Sequence, residues 1–237
     1  EDLVAAFSPP EAKSKAFLCG DLLPLLARCA QDDLAILGQA LAKVRWHQQV
    51  MFCGSCGHKT ESIECGLKRR CTSSSCAARF YPRVNPACIM LVRHPTDLRK
   101  CLLGRSKGWP PGMWSCLAGF LEVSESLEDA IVREVSEEAG ISVDIERGVD
   151  ILGSQPWPIG RNQSCDLMIG AEVWAATAQI AVNVDEMEDI RWFDLSEVLE
   201  MLATPMGTVG KKNLPSQVAI SHHLVRRWVD RLTALGH

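Results

Sequence analysis

The stretch Gly119-Phe-Leu-Glu-Val-Ser-Glu125-Ser-Leu-Glu-Asp-Ala-Ile-Val-Arg133-Glu134-Val-Ser-Glu137-Glu138-Ala-Gly140-Ile141 carries the densest chemical signal in the chain. Ser126, with Asp129 three residues on, approximates a capping box, and Gly140 suits a left-handed helix stop. Between them Leu127, Ala130, Ile131, Val135 and Ala139 recur at helical spacing, which predicts a helix over 126–139 with one buried stripe. Glu134, Glu137 and Glu138 stand at i, i+3 and i+4, so three carboxylates share one side of that helix. Glu138 falls at the edge of the apolar sector. Crowded carboxylates repel, and desolvating one against a core raises its pKa. A hard divalent cation reverses that penalty: Mg²⁺ or Mn²⁺ takes oxygen ligands, keeps several waters and bridges to phosphate. From the helix alone, a solvated acidic face is the plain alternative.

Strands surround this helix. Ala87 to Val92, turn residues His94 to Asp97 and then Lys100 to Leu103 predict a hairpin. Val143 to Leu152, Asp166 to Ala175 and Ile190 to Phe193 read as further strands. Leu195 to Leu202 reads as a short helix with Ser196 near its start, and Pro215 to Leu232 as a last helix. That alternation predicts α/β or α+β packing after residue 85. Upstream, residues 1–50 read as helical. An apolar run from Asp21 to Ala30 precedes a helix from Asp32 to Val50, whose Leu34, Leu37, Leu41 and Val44 predict one buried stripe.

Residues 51–82 differ in kind. Apolar periodicity stops, and five of the eleven cysteines crowd into positions 53–76. Cys53-Gly-Ser-Cys56 and Cys71-Thr-Ser-Ser-Ser-Cys76 are two knuckles, each bringing two thiolates. Together they supply the four ligands of a structural Zn²⁺, with no position left open for catalysis. Cys65 lies between the knuckles, outside the paired spacing. A redox Cys-x-x-Cys normally opens a helix after a strand, which this Gly/Ser-rich context does not resemble. The other cysteines are scattered among apolar residues, as buried free thiols are, and the odd count argues against a disulfide framework. Both features point to a reducing compartment. At 237 residues, 47% hydrophobic and net charge −4, the chain has the composition of a globular protein with no global basic field to attract nucleic acid. No run approaches the length of a membrane span. The chain opens on Glu1 rather than Met, which leaves room for a trimmed upstream segment or targeting peptide.

The spacing of the first stretch matches the Nudix box at each defined position, so the chain resembles the Nudix hydrolases, which cleave nucleoside diphosphates linked to another group. The resemblance implies an α+β fold, an α/β/α sandwich with a mixed sheet. A helical segment over 1–50 and a zinc ribbon over 51–82 would precede the hydrolase domain over 83–237. Glu134 and Glu138 would bind Mg²⁺ or Mn²⁺, Glu137 would belong to the same catalytic cluster, and Arg133 and Glu125 would orient it. Ser124 departs from the pattern, because relatives usually carry Gly there and the loop must accept a side chain.

Four further features resemble the NADH pyrophosphatase branch. They are the ribbon itself, Phe80-Tyr81-Pro82-Arg83, Leu117-Ala118-Gly119-Phe120, and Ser154-Gln155-Pro156-Trp157-Pro158. Ala219-Ile220-Ser221-His222-His223-Leu224 also looks like that branch's last helix. The Cys-x4-Cys second knuckle resembles the peroxisomal and plastid forms, which makes those compartments, or otherwise the cytoplasm, the expectation. The resemblance implies that Tyr81 and Phe120 contact the dinucleotide across a homodimer. It also implies that the Ala118 carbonyl and Glu186 complete the metal shell, with Glu188 the competitor. Two prolines around Trp157 suggest a rigid turn, and Gln155 can hydrogen-bond a nucleotide edge or carboxamide. After Pro158 the chain departs again: Ile159-Gly160-Arg161-Asn162 replaces the usual continuation in a longer loop. The implied activity is hydrolysis of NADH, and of NAD⁺, to nicotinamide mononucleotide and AMP. NAD-cap removal from RNA by the same chemistry is the close alternative, and a non-catalytic nucleotide- or RNA-binding ribbon module the distant one.

Overall fold

The computed structural model describes residues 30–236. The apolar run ahead of Ala30 and the cysteines Cys19 and Cys29 lie outside the described residues. Helix α1 (Gln31–Gln49) comes first. Its buried positions are not the expected leucine stripe: Leu37 and Val44 are exposed, while Gly38 and Trp46 are buried. Leu34, Gly38, Ala42 and Trp46 share one side of the helix, and a Cβ on Gly38 would come within 3.1 Å of Pro158 Cγ, so a close approach at Gly38 marks its inner face. Arg45 Nη1 donates to the Pro158 carbonyl at 3.1 Å and ties α1 to the larger sheet that follows.

The ribbon follows as strands β1 (Thr60–Ile63), β2 (Lys68–Cys71) and β3 (Arg79–Phe80), an antiparallel sheet in that order. It is fastened to α1 through His47. Arg69 Nη1 lies 2.9 Å from His47 Nδ1, and His47 Nε2 lies 3.0 Å from the Gly66 carbonyl. Since a guanidinium can only donate, Nδ1 accepts and Nε2 carries the proton. Arg69 also donates to the hydroxyl and carbonyl of Thr60, at 2.7 and 2.9 Å.

The six-stranded sheet contains β4 (Asn85–Arg93), β5 (Lys100–Ser106), β6 (Leu117–Phe120), β7 (Asp150–Trp157), β8 (Asp166–Trp174) and β9 (Met187–Asp194). Its order is β7-β8-β4-β5-β9, with β6 also paired to β4. The sheet is mixed: β4 and β8 are parallel and the other pairs antiparallel. From Ala87 on, β4 is buried on both faces, which explains its unbroken apolar run. Cys88, Met90 and Val92 pack beneath Ile131 and Val135 of helix α2 (Leu127–Ala139). Ile89 and Leu91 face the opposite core, filled by Val198 and Met201 of α3 (Leu195–Ala203) and by Val225 and Trp228 of α4 (Ile220–Ala234). Helices on both faces of a mixed sheet make the expected α+β sandwich. Behind the sheet, Glu172 is 2% exposed and accepts from Arg93 Nη1 at 3.2 Å and from Arg231 at 2.8 and 2.9 Å, joining β4, β8 and α4.

Three local expectations shift. Val143 makes only an isolated bridge, to Ala175, and a single turn at Ile145–Arg147 follows; the strand proper begins at Asp150 and runs through Trp157. The expected turn around Trp157 is therefore an edge strand, a place that tolerates Pro156. Helix α3 is capped by Asp194 with Glu197. The last helix starts at Ile220, because the Gln155 amide donates to the Val218 carbonyl at 2.6 Å and accepts from Ile220 N at 2.8 Å.

Candidate active site

Ser126 caps α2 by accepting from Asp129 N at 3.1 Å, and Gly140 closes it in the left-handed region, as expected. The Ser126 hydroxyl in turn donates to Asp129 Oδ2 at 2.7 Å, so the short Asp side chain does not reach back as a Glu would. The helix buries its apolar stripe and with it Glu134 and Glu138. β6 lies against this face so closely that a Cβ on Gly119 would sit 1.8 Å from the Glu134 carboxyl carbon. A glycine is therefore required at position 119 for Glu134 to hold its place.

Arg133 organises the carboxylates. Its Nη1 donates to Glu134 Oε1 at 2.8 Å and to Glu137 Oε2 at 2.9 Å. Nε and Nη2 grip the two oxygens of Glu125 at 2.8 and 2.9 Å, and Nη2 also reaches the Phe120 carbonyl at 2.8 Å. The fork on Glu125, with a bond from Glu122 N, holds that carboxyl down at about 2. Glu137 itself is exposed.

Glu138 has no such partner. It is 7% exposed, and its Oε2 has no hydrogen-bond partner among the described residues. Burial, reinforced by the negative charges of Glu134 and Glu186, pushes its carboxyl up to about 8. Burial also raises Glu134, against the pull of Arg133. An orphaned carboxylate oxygen beside a second buried carboxylate is a donor set that suits a hard divalent cation. Glu186 is exposed at the start of the β9 approach, near enough for its charge to reach both buried carboxylates. Glu188, its competitor, is taken up by Arg105, whose Nε lies 2.8 Å from Glu188 Oε1. Ala118 is in register with Ile89 at the centre of β6.

The four cysteines converge in the ribbon. The Sγ atoms of Cys53, Cys56, Cys71 and Cys76 all lie within 4.8 Å of one another, the one such group of three or more His, Cys, Asp or Glu ligand atoms among the described residues. Cys53 Sγ is 3.8 Å from Cys76 Sγ, and Cys56 Sγ is 3.4 Å from Cys71 Sγ. Tetrahedral Zn²⁺ with bonds of about 2.3 Å spaces its sulfurs about 3.8 Å apart, so this cluster fits a structural zinc. Cys65 is exposed, in a tight turn at φ 52°, and stands outside the group.

Phe120, 43% exposed, lines a cavity of about 490 Å³ beside the carboxylates, together with Trp46, Gln49 and Arg161. Tyr81 is 59% exposed and is not among the residues lining that cavity on its own chain. Gln155, expected at a ligand, has its amide committed to the start of α4. Nothing in the periodicity of α1 marks Trp46 as a cavity wall, since that role depends on how the helix docks.

A model of the NUDIX domain matches residues 83–215. The chain is 38% identical over 237 residues to the Homo sapiens NAD-capped RNA hydrolase NUDT12, covering 96% of this chain and 48% of that protein. It is 35% identical over 232 residues to the mitochondrial NAD(P)H pyrophosphatase NUDT13 of Mus musculus, covering 94% of this chain and 63% of the other. The chain thus spans about half to two thirds of the length of these curated relatives. The structure superposes on a NUDIX hydrolase from Nitrosomonas europaea with a TM-score of 0.53 at 20% identity, over 76% of this chain and 90% of that one, a likeness of fold.

Proposed function

Because this chain belongs to the Nudix hydrolase family, we propose that it hydrolyses the pyrophosphate bond of NADH, and of NAD⁺, to nicotinamide mononucleotide and AMP. The observation that carries the reading is Glu138: buried, raised to about 8, with one carboxylate oxygen unpartnered, beside Glu134 on an Arg133 scaffold. Glu134, Glu138, Glu186 and the Ala118 carbonyl would hold Mg²⁺ or Mn²⁺. Bound there, such a cation would neutralise phosphate charge and make a water acidic enough to attack. Glu138, in its ionised form, holds or deprotonates the attacking water as oxygen adds to phosphorus and the bridging P–O bond breaks. Arg133 holds Glu134 and Glu137 in place, and Glu125 prevents that guanidinium from swinging away. Gly119 keeps the floor of the site open.

Tyr81 and Phe120 would stack on the planar ends of the dinucleotide. Phe120 faces the cavity while Tyr81 does not, which supports a homodimer in which one chain's Tyr81 serves its partner's site. Cys53, Cys56, Cys71 and Cys76 would hold one structural Zn²⁺ per chain. The unpaired buried thiols Cys88, Cys101 and Cys116 support a reducing compartment. No helix among the described residues is long and apolar enough to cross a membrane.

NAD-cap removal from RNA is the second reading, favoured by the activity for which the human relative is named. Both are tested by incubating the protein with NADH, NAD⁺, ADP-ribose and NAD-capped RNA side by side and identifying products. NADH and NAD⁺ should give AMP and the mononucleotide, and Glu138→Gln should abolish turnover with the fold intact. Near-normal turnover by that variant would remove Glu138 from the chemistry.

A further inference from the structure

Residues 178–187 lead into β9 by crossing the C-terminal end of α2. The start of the crossing is pinned where Trp192 Nε1 donates to the Ala178 carbonyl at 2.8 Å, and Ile180 and Val182 pack on the core that holds Val135 and Ala139. The helix leaves the carbonyls of Glu138 and Ala139 without intrahelical partners. The crossing segment supplies them: Ala181 N donates to the Ala139 carbonyl at 2.8 Å and Asn183 N to the Glu138 carbonyl at 2.9 Å. The approach is so close that a Cβ on Gly140 would lie 2.7 Å from Ala181 Cβ, a second reason for glycine at that helix stop.

Asn183 then turns the chain toward the carboxylates. Its carbonyl accepts from Glu186 N at 3.2 Å and from Met187 N at 2.9 Å, and its side-chain Oδ1 accepts from Asp185 N at 3.2 Å. A side-chain oxygen that takes the amide two residues on makes an Asx turn, which fixes the local backbone. On the far side of Glu186, Met187 is buried and seated on Gly104, where a Cβ would lie 2.5 Å from Met187 Cε. The register of β9 on β5 then slips: Met187 pairs with Ser106 but Asp189 with Arg105, so Glu188 is an extra, bulged residue. Bulges beside functional sites re-aim side chains. Glu188 is thereby given to Arg105 Nε at 2.8 Å, while Glu186, held between the turn and the buried methionine, brings its charge to Glu134 and Glu138.

We propose that Asn183 is the positioning residue for Glu186: its turn, anchored on the backbone of Glu138 itself, sets where the third carboxylate stands relative to the two on α2. The proposal rests on the divalent-metal reading above and adds a residue that acts through another. Placement matters here because Glu138 Oε2 is buried without a hydrogen-bond partner among the described residues, and a small hard cation accepts its oxygen ligands only in near-ideal geometry. A carboxylate that wanders at the end of a loosened turn therefore holds such an ion less well.

The test measures Mn²⁺ binding to the full chain by the loss of the free-ion signal in electron paramagnetic resonance. Asn183→Ala removes the Asx acceptor and should weaken binding about tenfold, as loss of a group that orients a ligand does. Asn183→Ser adds no charge and can still accept from Asp185 N, so it should recover part of that loss. Glu186→Gln should weaken binding by at least as much as Asn183→Ala. In the Glu186→Gln background, Asn183→Ala should cost less than about a further twofold, because both changes remove one and the same interaction. Its effect on the melting temperature in chelator should be equal in the two backgrounds, which separates positioning from a general loosening of the fold. Affinity losses that multiply in the double variant would overturn the proposal. So would unchanged affinity in Asn183→Ala beside weakened affinity in Glu186→Gln, and the metal reading would survive both results. Unchanged affinity in Glu186→Gln would overturn the metal role of Glu186 and the positioning role with it.

Discussion

Ser124 holds φ 66° in the loop ahead of α2, where a glycine would sit without strain. The departure at this position is visible in the sequence, and the backbone meets it by keeping the loop's shape and bearing the side chain. A left-handed non-glycine residue costs about 1–2 kcal/mol, partly offset by the greater unfolded-state freedom of glycine. Ser124→Gly should therefore stabilise the protein by about 0.5–1 kcal/mol, read from denaturant midpoints, and an unchanged or lower midpoint would count against the strain. Glu138 makes the opposite kind of statement. Its folded pKa of about 8 lies above the ordinary glutamate value of about 4.3, so in the metal-free protein the native state binds the extra proton between those limits. The stability linked to Glu138 is thus full below the unfolded pKa and is lost as pH rises through 8. Melts in chelator should show wild type losing on the order of 2 kcal/mol more than Glu138→Gln between pH 5 and pH 8. Added Mg²⁺ should remove most of that difference. Parallel pH profiles for the two proteins in chelator would show that Glu138 ionises freely.

At the scale of elements, the ribbon shows how spacing alone can identify a site. Paired cysteines on two turns converge because each knuckle is a local structure, and β2 carries Cys71 into the cluster by its register with Thr60. Cys65 is nearer in sequence to the second knuckle than Cys56 is, yet the turn at Glu64–Gly66 leaves it exposed. Metal analysis should find that Cys65→Ser retains zinc while Cys71→Ser loses it and melts lower, because ligand binding contributes directly to folding here. Zinc loss in Cys65→Ser with retention in Cys71→Ser would reject this ligand set. β7 and α4 are less legible. The Ser154-to-Pro158 motif is readable as a motif but not as an edge strand, and the Gln155 amide bonds the backbone at Val218 and Ile220 where α4 begins. A side-chain amide is equally competent toward a nucleotide or a backbone, and only the position of the neighbouring helix selects between them.

For the molecule as a whole, α1 is the connecting piece. His47 fastens it to the ribbon, Arg45 to the end of β7, and Trp46 to the cavity beside the carboxylates. If each cavity is completed by Tyr81 of a second chain, mixing inactive Tyr81→Ala and Glu138→Gln homodimers should recover activity. The mixed dimer then contains one site with both groups intact. Recovery of about a quarter of wild-type activity is expected from random reassortment into a symmetric dimer. Heterodimers that form, by mass measurement, without recovered activity would defeat the shared site, as would a fully active monomer.

The sequence by itself determined the carboxylate-bearing helix, its caps, the carboxylate spacing and the four cysteines. In each case the functional atoms sit on one local element whose geometry repeats every few residues. The apolar run Ala87 to Val92 and the alternation of strands and helices made α/β or α+β packing legible in the same way, while the mixed sheet between helices came from the family resemblance. Tertiary structure decided the rest: which face of α1 turns inward, that the Gln155 amide bonds the backbone at the start of α4, and that Glu188 is held by Arg105 while Glu186 stays within reach of Glu138. It also brought Arg161 and Arg83 to one cavity across some eighty residues of chain. Such contacts join residues remote in sequence, and their energy comes from packing and desolvation that no local periodicity encodes.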